Sequence, residues 1–402
     1  MRDSALRIII TGYVGAFPVG GVAWDYLQYA IGLKRLGHDV LYHEDSRLWP
    51  YHPLENQRVG TADYSVAYID QFFQAFAPEL AGRWHYRHRG ATSFGISEAE
   101  FRRFAQSADL FLNVSGSSRI PTDLRPGCIK AYLDTDPGYN QILIAEPPSW
   151  YEDAAREAEL FGAYDRHLTY AENVGKKDCL VPQLGVDWIT TRIPIVRSFW
   201  SGCPRPPADA AWSTIMTWNA FRGPLIYQGR EYGSKNIEFA RIASLPQKTS
   251  VTLELAVGGG APEHELIRHG WRVVNGPAVT ATPGTYRDFI ARSRGEISTA
   301  KNIYVAMRTG WFSCRSACYL AAGRPAIVQD TGFSKYIPTG EGLIAFDTVE
   351  QAHSAIDVVE NDYPKHAAAA KDIAAAYFDS EIVLSHMLSE IFKGGRSMGG
   401  MN

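Results

Sequence analysis

Cysteine is scarce in this chain: 402 residues hold five, Cys128, Cys179, Cys203, Cys314 and Cys318. Their number is odd and none shows the paired C-x-x-C spacing of a zinc site, which excludes a disulfide scaffold and points to free thiols in a reducing cytoplasm. Charge excess is also missing. The net charge of −3 is the opposite of the basic surplus that nucleic-acid binders use against phosphates, so no nucleic-acid partner is expected. The opening "LRIIITGYVG" has an apolar core too short for a signal h-region or a membrane span, and the expectation is a soluble, cytoplasmic protein with no membrane span. H-E-x-x-H, G-x-S-x-G and P-loop patterns do not occur. Metal-dependent hydrolysis, serine hydrolysis and nucleoside-triphosphate chemistry thereby lose their usual markers.

What remains is an ordinary globular balance, 46% hydrophobic and 21% charged, on a chain too long for one core. "LRIIITG" reads as a buried parallel strand. The following "YVGAFPVGGVAWDYLQYAIGLKRLGHDVLYHED" reads as a glycine loop, a helix ending at Gly37 and a second strand. Strands and helices alternate up to "DCLVPQLGVDW". The composition then turns to proline and small residues in "TTRIPIVRSFWSGCPRPPADAAW", and the alternation restarts at "STIMTWN". The pattern predicts an α/β protein of two doubly wound, Rossmann-like domains, about 1–190 and 195–375, with ligands in the cleft outside the carboxyl ends of the strands. The last residues, "KGGRSMGGMN", read as a frayed polar tail.

Several stretches could carry chemistry. Gly20 and Gly21 stand between the first strand and the first helix, where glycine lets backbone N–H groups approach an anion; they could also simply shape a loop. In "GREYGSK", Arg230 and Lys235 are predicted at a strand-turn-helix junction, aimed at one diphosphate or else solvated. "SRGEISTAKNIYVAMRTGWFSCRSACYLAAGRP" holds Glu296, Ser298, Lys301, Asn302, Arg315 and Ser316, with Trp311 and Phe312 either flanking a base or buried in the core. Gly323, followed by Pro325 and a buried strand, reads as a helix stop and C-cap. Asp134 and Asp136 in "YLDTDPG", and Asp25 on the first helix, are candidate general bases or, for the first two, turn formers. His85 and His88, set among arginines in "RWHYRHRG", read as a solvated basic loop.

In order along the chain, these pieces resemble the GT-B nucleotide-sugar glycosyltransferases. "GGVAWDYLQYAIGLKRLGHDV" is similar to that group's loop and first helix, "VPQLGVD" to its interdomain segment, "GREYGSK" to its Gly-Arg-x4-Lys clamp and "YLAAGRPAIVQDTGF" to its small-Gly-x-Pro ending. The resemblance implies that a C-terminal helix within 376–402 returns to the first domain, and that Arg230 and Lys235 hold a donor diphosphate. With Gly20, Gly21, Glu296, Lys301, Asn302, Arg315 and Ser316 they form the candidate donor site. The donor itself is a nucleotide-diphosphate sugar; no separate cofactor and no metal are expected, and the acceptor is a small molecule. Asp25, Asp134 or Asp136 would deprotonate it. The chain departs from the family where retaining members carry Glu-x7-Glu: those positions hold Gly310 and Cys318. A catalytically degenerate nucleotide- or sugar-binding protein, or a nucleotide-sugar epimerase, are the alternatives.

Overall fold

A computed structural model describes residues 5–152, 154–221 and 223–393 of the chain. The glycine-rich tail from residue 394 onward lies outside the described residues. Two sheets dominate. The first has eight strands in the spatial order Trp188–Thr190, Arg166–Thr169, Ile129–Asp134, Leu110–Val114, Arg7–Thr11, Asp39–Glu44, Trp84–His88 and Thr92–Gly95. Only the last pairing is antiparallel. The second has six parallel strands in the order Arg272–Asn275, Leu253–Gly258, Trp212–Thr217, Gly295–Ser298, Ala326–Gln329 and Leu343–Phe346.

Parallel sheets need apolar residues on both faces because helices cover both. The first strand supplies them, with Ile8, Ile9 and Ile10 all fully buried. In each sheet the chain starts in the middle, builds outward to one side, then crosses back to the other. That reversal lies between Arg7–Thr11 and Leu110–Val114 in one sheet and between Trp212–Thr217 and Gly295–Ser298 in the other. At such a reversal the two flanking loops diverge, leaving a crevice at the carboxyl edge.

The chain crosses between the sheets twice, and the two crossings bond to each other. Ile195 N donates to Phe378 O at 2.6 Å, and Ser380 N donates to Ile195 O at 3.0 Å. Beyond the second crossing, the helix Ser380–Phe392 lies against the first helix, Gly20–Arg35. Glycine lets the two helices come close here: a Cβ on Gly32 would come within 2.5 Å of Leu384 Cδ1 and 3.0 Å of Ser380 Cβ, so the leucine would have to shift. Arg166 Nε adds a hydrogen bond to Ile391 O at 3.0 Å.

The "RWHYRHRG" stretch is a strand rather than a solvated loop. His85 points inward and is fully buried; its Nδ1 lies 3.1 Å from Nδ1 of His43, and both rings stack on Phe101. The arginines that suggest a solvated loop, Arg83 and Arg87, stand two residues to either side of His85 and so on its own face, while Trp84 and Tyr86 on the other face are buried too. Burial pushes the His43 ring well below its ordinary range, and pushes His85 down to about 4 against the pull of Glu98. Both rings are therefore neutral in the folded state at pH 7, while the unfolded chain takes up protons from about pH 6.5 downward. Stability should be full above pH 6.5 and fall as the pH drops toward 4, by up to about 1.4 kcal/mol per pH unit for each histidine. Denaturant titrations at stepped pH would measure this, and His85→Phe should flatten the slope.

Candidate active site

The crevices of the two sheets face each other and enclose a cavity of about 630 Å³. The first domain contributes Gly21, Asp25 and Tyr26 from its first helix, Thr135 and Asp136 from the loop after Ile129–Asp134, and Tyr170. The second contributes Lys235, the glycines Gly258, Gly259 and Gly276 at strand ends, and Lys301, Tyr304, Cys314 and Arg315.

Each cation has its own support. Arg315, the second residue of the helix Cys314–Ala321, donates from Nε to Glu296 Oε1 and from Nη1 to Ile215 O, both at 2.6 Å. Burial opposes its charge, but Glu296, with Tyr286 and Tyr319 adding to it, holds the guanidinium above its ordinary pKa. Lys301 is paired with Asp136. Lys235 opens the short helix Lys235–Phe239, which is fixed from behind: Asn302 Nδ2 donates to Glu238 Oε1 at 2.7 Å and Gly233 N donates to Asn302 Oδ1 at 3.1 Å. Among the described residues the Lys235 side chain has no hydrogen bond or ion pair. Burial, with Arg315 and Lys301 adding repulsion, lowers its pKa well below that of a free lysine.

The carboxylates differ in kind. Asp25 stands in the cavity wall, where burial pushes it up to about 7; a hydrogen bond from the Cys314 thiol works against the rise and Asp136 adds to it. Asp136 accepts from Lys301 Nζ and from Tyr304 OH. Asp134 is fully buried and does not line the cavity; its Oδ2 accepts from Gln141 Nε2 at 2.7 Å and Thr169 Oγ1 at 2.8 Å, so it shapes the loop.

Of the residues singled out by sequence, Gly21, Asp25, Asp136, Lys235, Lys301, Trp311, Phe312 and Arg315 meet in this cavity. Glu296 and Asn302 stand behind it as the supports just described. Ser316 lines a much smaller adjoining pocket. Arg230 departs from its expected place. "GREY" is a hairpin rather than a strand-turn-helix: Leu225–Tyr227 pairs antiparallel with Arg230–Tyr232 through a turn in which Gln228 and Gly229 both have positive φ, the geometry of a two-residue hairpin loop. Arg230 is left exposed on that hairpin beside the Tyr232 ring, outside the cavity.

The glycine loop is also used differently from the reading above. Three of its amides are engaged within the protein, Gly15 N and Ala16 N by the Glu44 carboxylate at 2.8 and 2.6 Å, and Gly20 N by Thr280 O at 2.7 Å, while Gly21 stands in the cavity wall. A Cβ on Gly20 would collide with Thr282 O, so this glycine serves contact between the domains. Trp311 donates from Nε1 to Thr135 O at 3.0 Å and packs on Tyr304, and Phe312 stacks on Phe378, so both aromatics join the domains together. Gly323 has φ +69 at the end of its helix and is a C-cap. Gly310 has φ +77, and a Cβ there would meet Asn173 N at 2.7 Å, while Cys318 is fully buried. Sequence reasoning missed Tyr304, Cys314 and Glu44. The glycines after the strand "LELAV" and in "VVNGP" were the legible signal for the far wall.

Among the described residues no group of three or more His, Cys, Asp or Glu side chains could hold a metal ion, and no helix is long and apolar enough to cross a membrane. No protein-family model matches the chain, and no curated protein matches it in sequence. Solved structures match in three dimensions. An alpha-glucosyltransferase in complex with UDP and a 13-mer DNA containing a HMU base superposes with a TM-score of 0.58 at 10% identity, over 97% of this chain and 100% of its own. Anabaena HepE in complex with UDP and glucose gives 0.54 at 12% identity, over 96% and 100%. AviGT4, a glycosyltransferase involved in avilamycin A biosynthesis, gives 0.51 at 12% identity, over 96% and 97%. The fold is GT-B.

The GT-B cleft of this chain divides its charges by domain. Every lysine and arginine lining the cavity comes from the second domain, and both carboxylates, Asp25 and Asp136, come from the first. The cationic wall depends on Glu296, which is fully buried under Arg315. Removing one partner of such a pair leaves an uncompensated buried charge, so Glu296→Ala should destabilise the protein by about 3–5 kcal/mol. Equilibrium unfolding in urea measures it, and replacing both residues with apolar ones (Glu296→Leu with Arg315→Met) should recover most of the loss.

Proposed function

We propose that this protein is a glycosyltransferase that moves a sugar from a nucleotide-diphosphate donor to a small-molecule acceptor without a metal ion. The observation that carries the reading is the division of charge across the cleft. Bond breaking in such a donor builds negative charge on the departing diphosphate, and preorganised cations stabilise that charge most in the transition state. Lys235, Lys301 and Arg315 supply them from one wall. On the opposite wall, Asp25 takes the acceptor hydroxyl's proton. A carboxyl with a pKa near the operating pH is suited to general base work, and burial brings Asp25 to about 7. The cavity volume and the aromatic first-domain wall of Phe17, Tyr26, Tyr51 and Tyr170 suit a compact acceptor. The alpha-glucosyltransferase above was solved with DNA; the net charge of −3 here speaks for an acceptor other than a polyanion.

A thermal-shift screen of UDP-, GDP-, dTDP- and ADP-sugars tests donor binding directly, since a specific ligand raises the apparent stability. Turnover of the selected donor should persist in excess EDTA. Binding without transfer to any of a broad acceptor panel would favour a pure binding protein instead. Lys235→Ala should cut transfer about a hundredfold, whereas Arg230→Ala, on its exposed hairpin, should change it less than about twofold. The pH profile tests the base. A carboxyl raised to about 7 is active only when ionised, so the rate should climb from pH 5 and level off above pH 8. Asp25→Asn should lose about a hundredfold in rate together with that inflection.

A further inference from the structure

Asp136 occupies an unusual place for a carboxylate. It stands in the cavity wall, yet its Oδ1 accepts from both Lys301 Nζ and Tyr304 OH, which belong to the other domain. The residue before it takes part in the same junction, through the bond from Trp311 Nε1 to Thr135 O. The loop after Ile129–Asp134 is therefore clasped to the segment 301–311 at the mouth of the cationic wall. Lys301 ion-pairs with no other carboxylate among the described residues. Its neighbours on the cavity side, Lys235 and Arg315, share its sign.

We propose that Asp136 is an internal rival of the diphosphate for Lys301. This rests on the donor reading above. A diphosphate at the cationic wall needs the ammonium that Asp136 holds, and its own negative charge repels a carboxylate within contact distance of that ammonium. Binding thus weakens the Lys301–Asp136 pair, releases part of the clasp between the domains, and leaves Asp136 with Tyr304 alone. The rivalry has a direction that simple loss of a binding residue does not: deleting the carboxylate strengthens anion binding. It also links the two walls, because occupation of the cationic side frees the loop that borders the acceptor side.

Inorganic pyrophosphate tests the idea without knowledge of the nucleotide. Its affinity is measured by calorimetry at pH 7.5 on the full chain, for the wild type, Asp136→Asn, Asp136→Ser as a second version, Lys301→Ala and the Asp136→Asn/Lys301→Ala double variant. Asp178→Asn serves as a control, because Asp178 also joins the domains, through Arg308 and Lys335, away from the cavity. The Asp136 variants should bind about fivefold more tightly, in line with the loss of a modest competing ion pair. The gain should vanish in the Lys301→Ala background, where the double variant binds like Lys301→Ala alone, and Asp178→Asn should shift affinity by less than twofold. Equal or weaker binding by both Asp136 variants overturns the proposal, as does the same gain without Lys301 or with Asp178→Asn. Pyrophosphate bound by none of these proteins would instead overturn the diphosphate reading itself, and the rivalry with it.

Discussion

Like charges held at one wall repel, and the architecture of this site follows from how that repulsion is contained. Arg315 is neutralised from behind by a buried glutamate and fixed by a main-chain carbonyl. Lys301 is neutralised from across the cleft by Asp136. Lys235 has no carboxylate partner among the described residues and is placed by a backbone segment that Asn302 and Glu238 lock. The three arrangements differ in what they leave available. A guanidinium with a buried partner keeps its charge under all ordinary conditions. A lysine beside two cations holds its proton loosely, and an arriving anion would restore it.

The glutamates that the resemblance led one to look for have no room here. At Gly310 the chain passes so close to Asn173 that only a residue without a side chain fits, and Cys318 faces the core. One helical turn before Cys318, Cys314 and Arg315 do line the cavity. The space a side chain at Gly310 would need is taken by contact between the two domains.

The sequence was most legible where periodicity and glycine placement speak for themselves. The isoleucine run before the glycine loop announced a parallel strand, and Gly37 announced a helix end. The restart of alternation after the proline-rich segment announced the second sheet. It was least legible where function depends on which of two nearby polar residues points inward. Asp134 and Asp136 are two apart, as Glu296 and Ser298 are, and nothing in their spacing says that Asp134 braces a loop while Asp136 reaches across the cleft. Arg230 shows the same limit. The motif matched, but the Gln-Gly turn folds it into a hairpin. His85 was hidden for a different reason: Arg83 and Arg87 flank it on its own face, and both faces of the strand are buried at Trp84, His85 and Tyr86, so no alternation of polar and apolar residues marks it.

The hydrogen bonds between Ile195, Phe378 and Ser380 mean that the polypeptide passes from one domain to the other at a single spot, although it does so twice. Two separate crossings would act as two hinges on one door and restrict its swing to one axis. Two fused crossings act as a ball joint: they fix the distance between the domains there while allowing both tilt and twist. Orientation is then left to the contacts that lie off the joint, among them the first helix against Pro283–Arg292 and the bridges across the cleft. The surfaces that line the cavity are thus also the surfaces that set the angle between the domains.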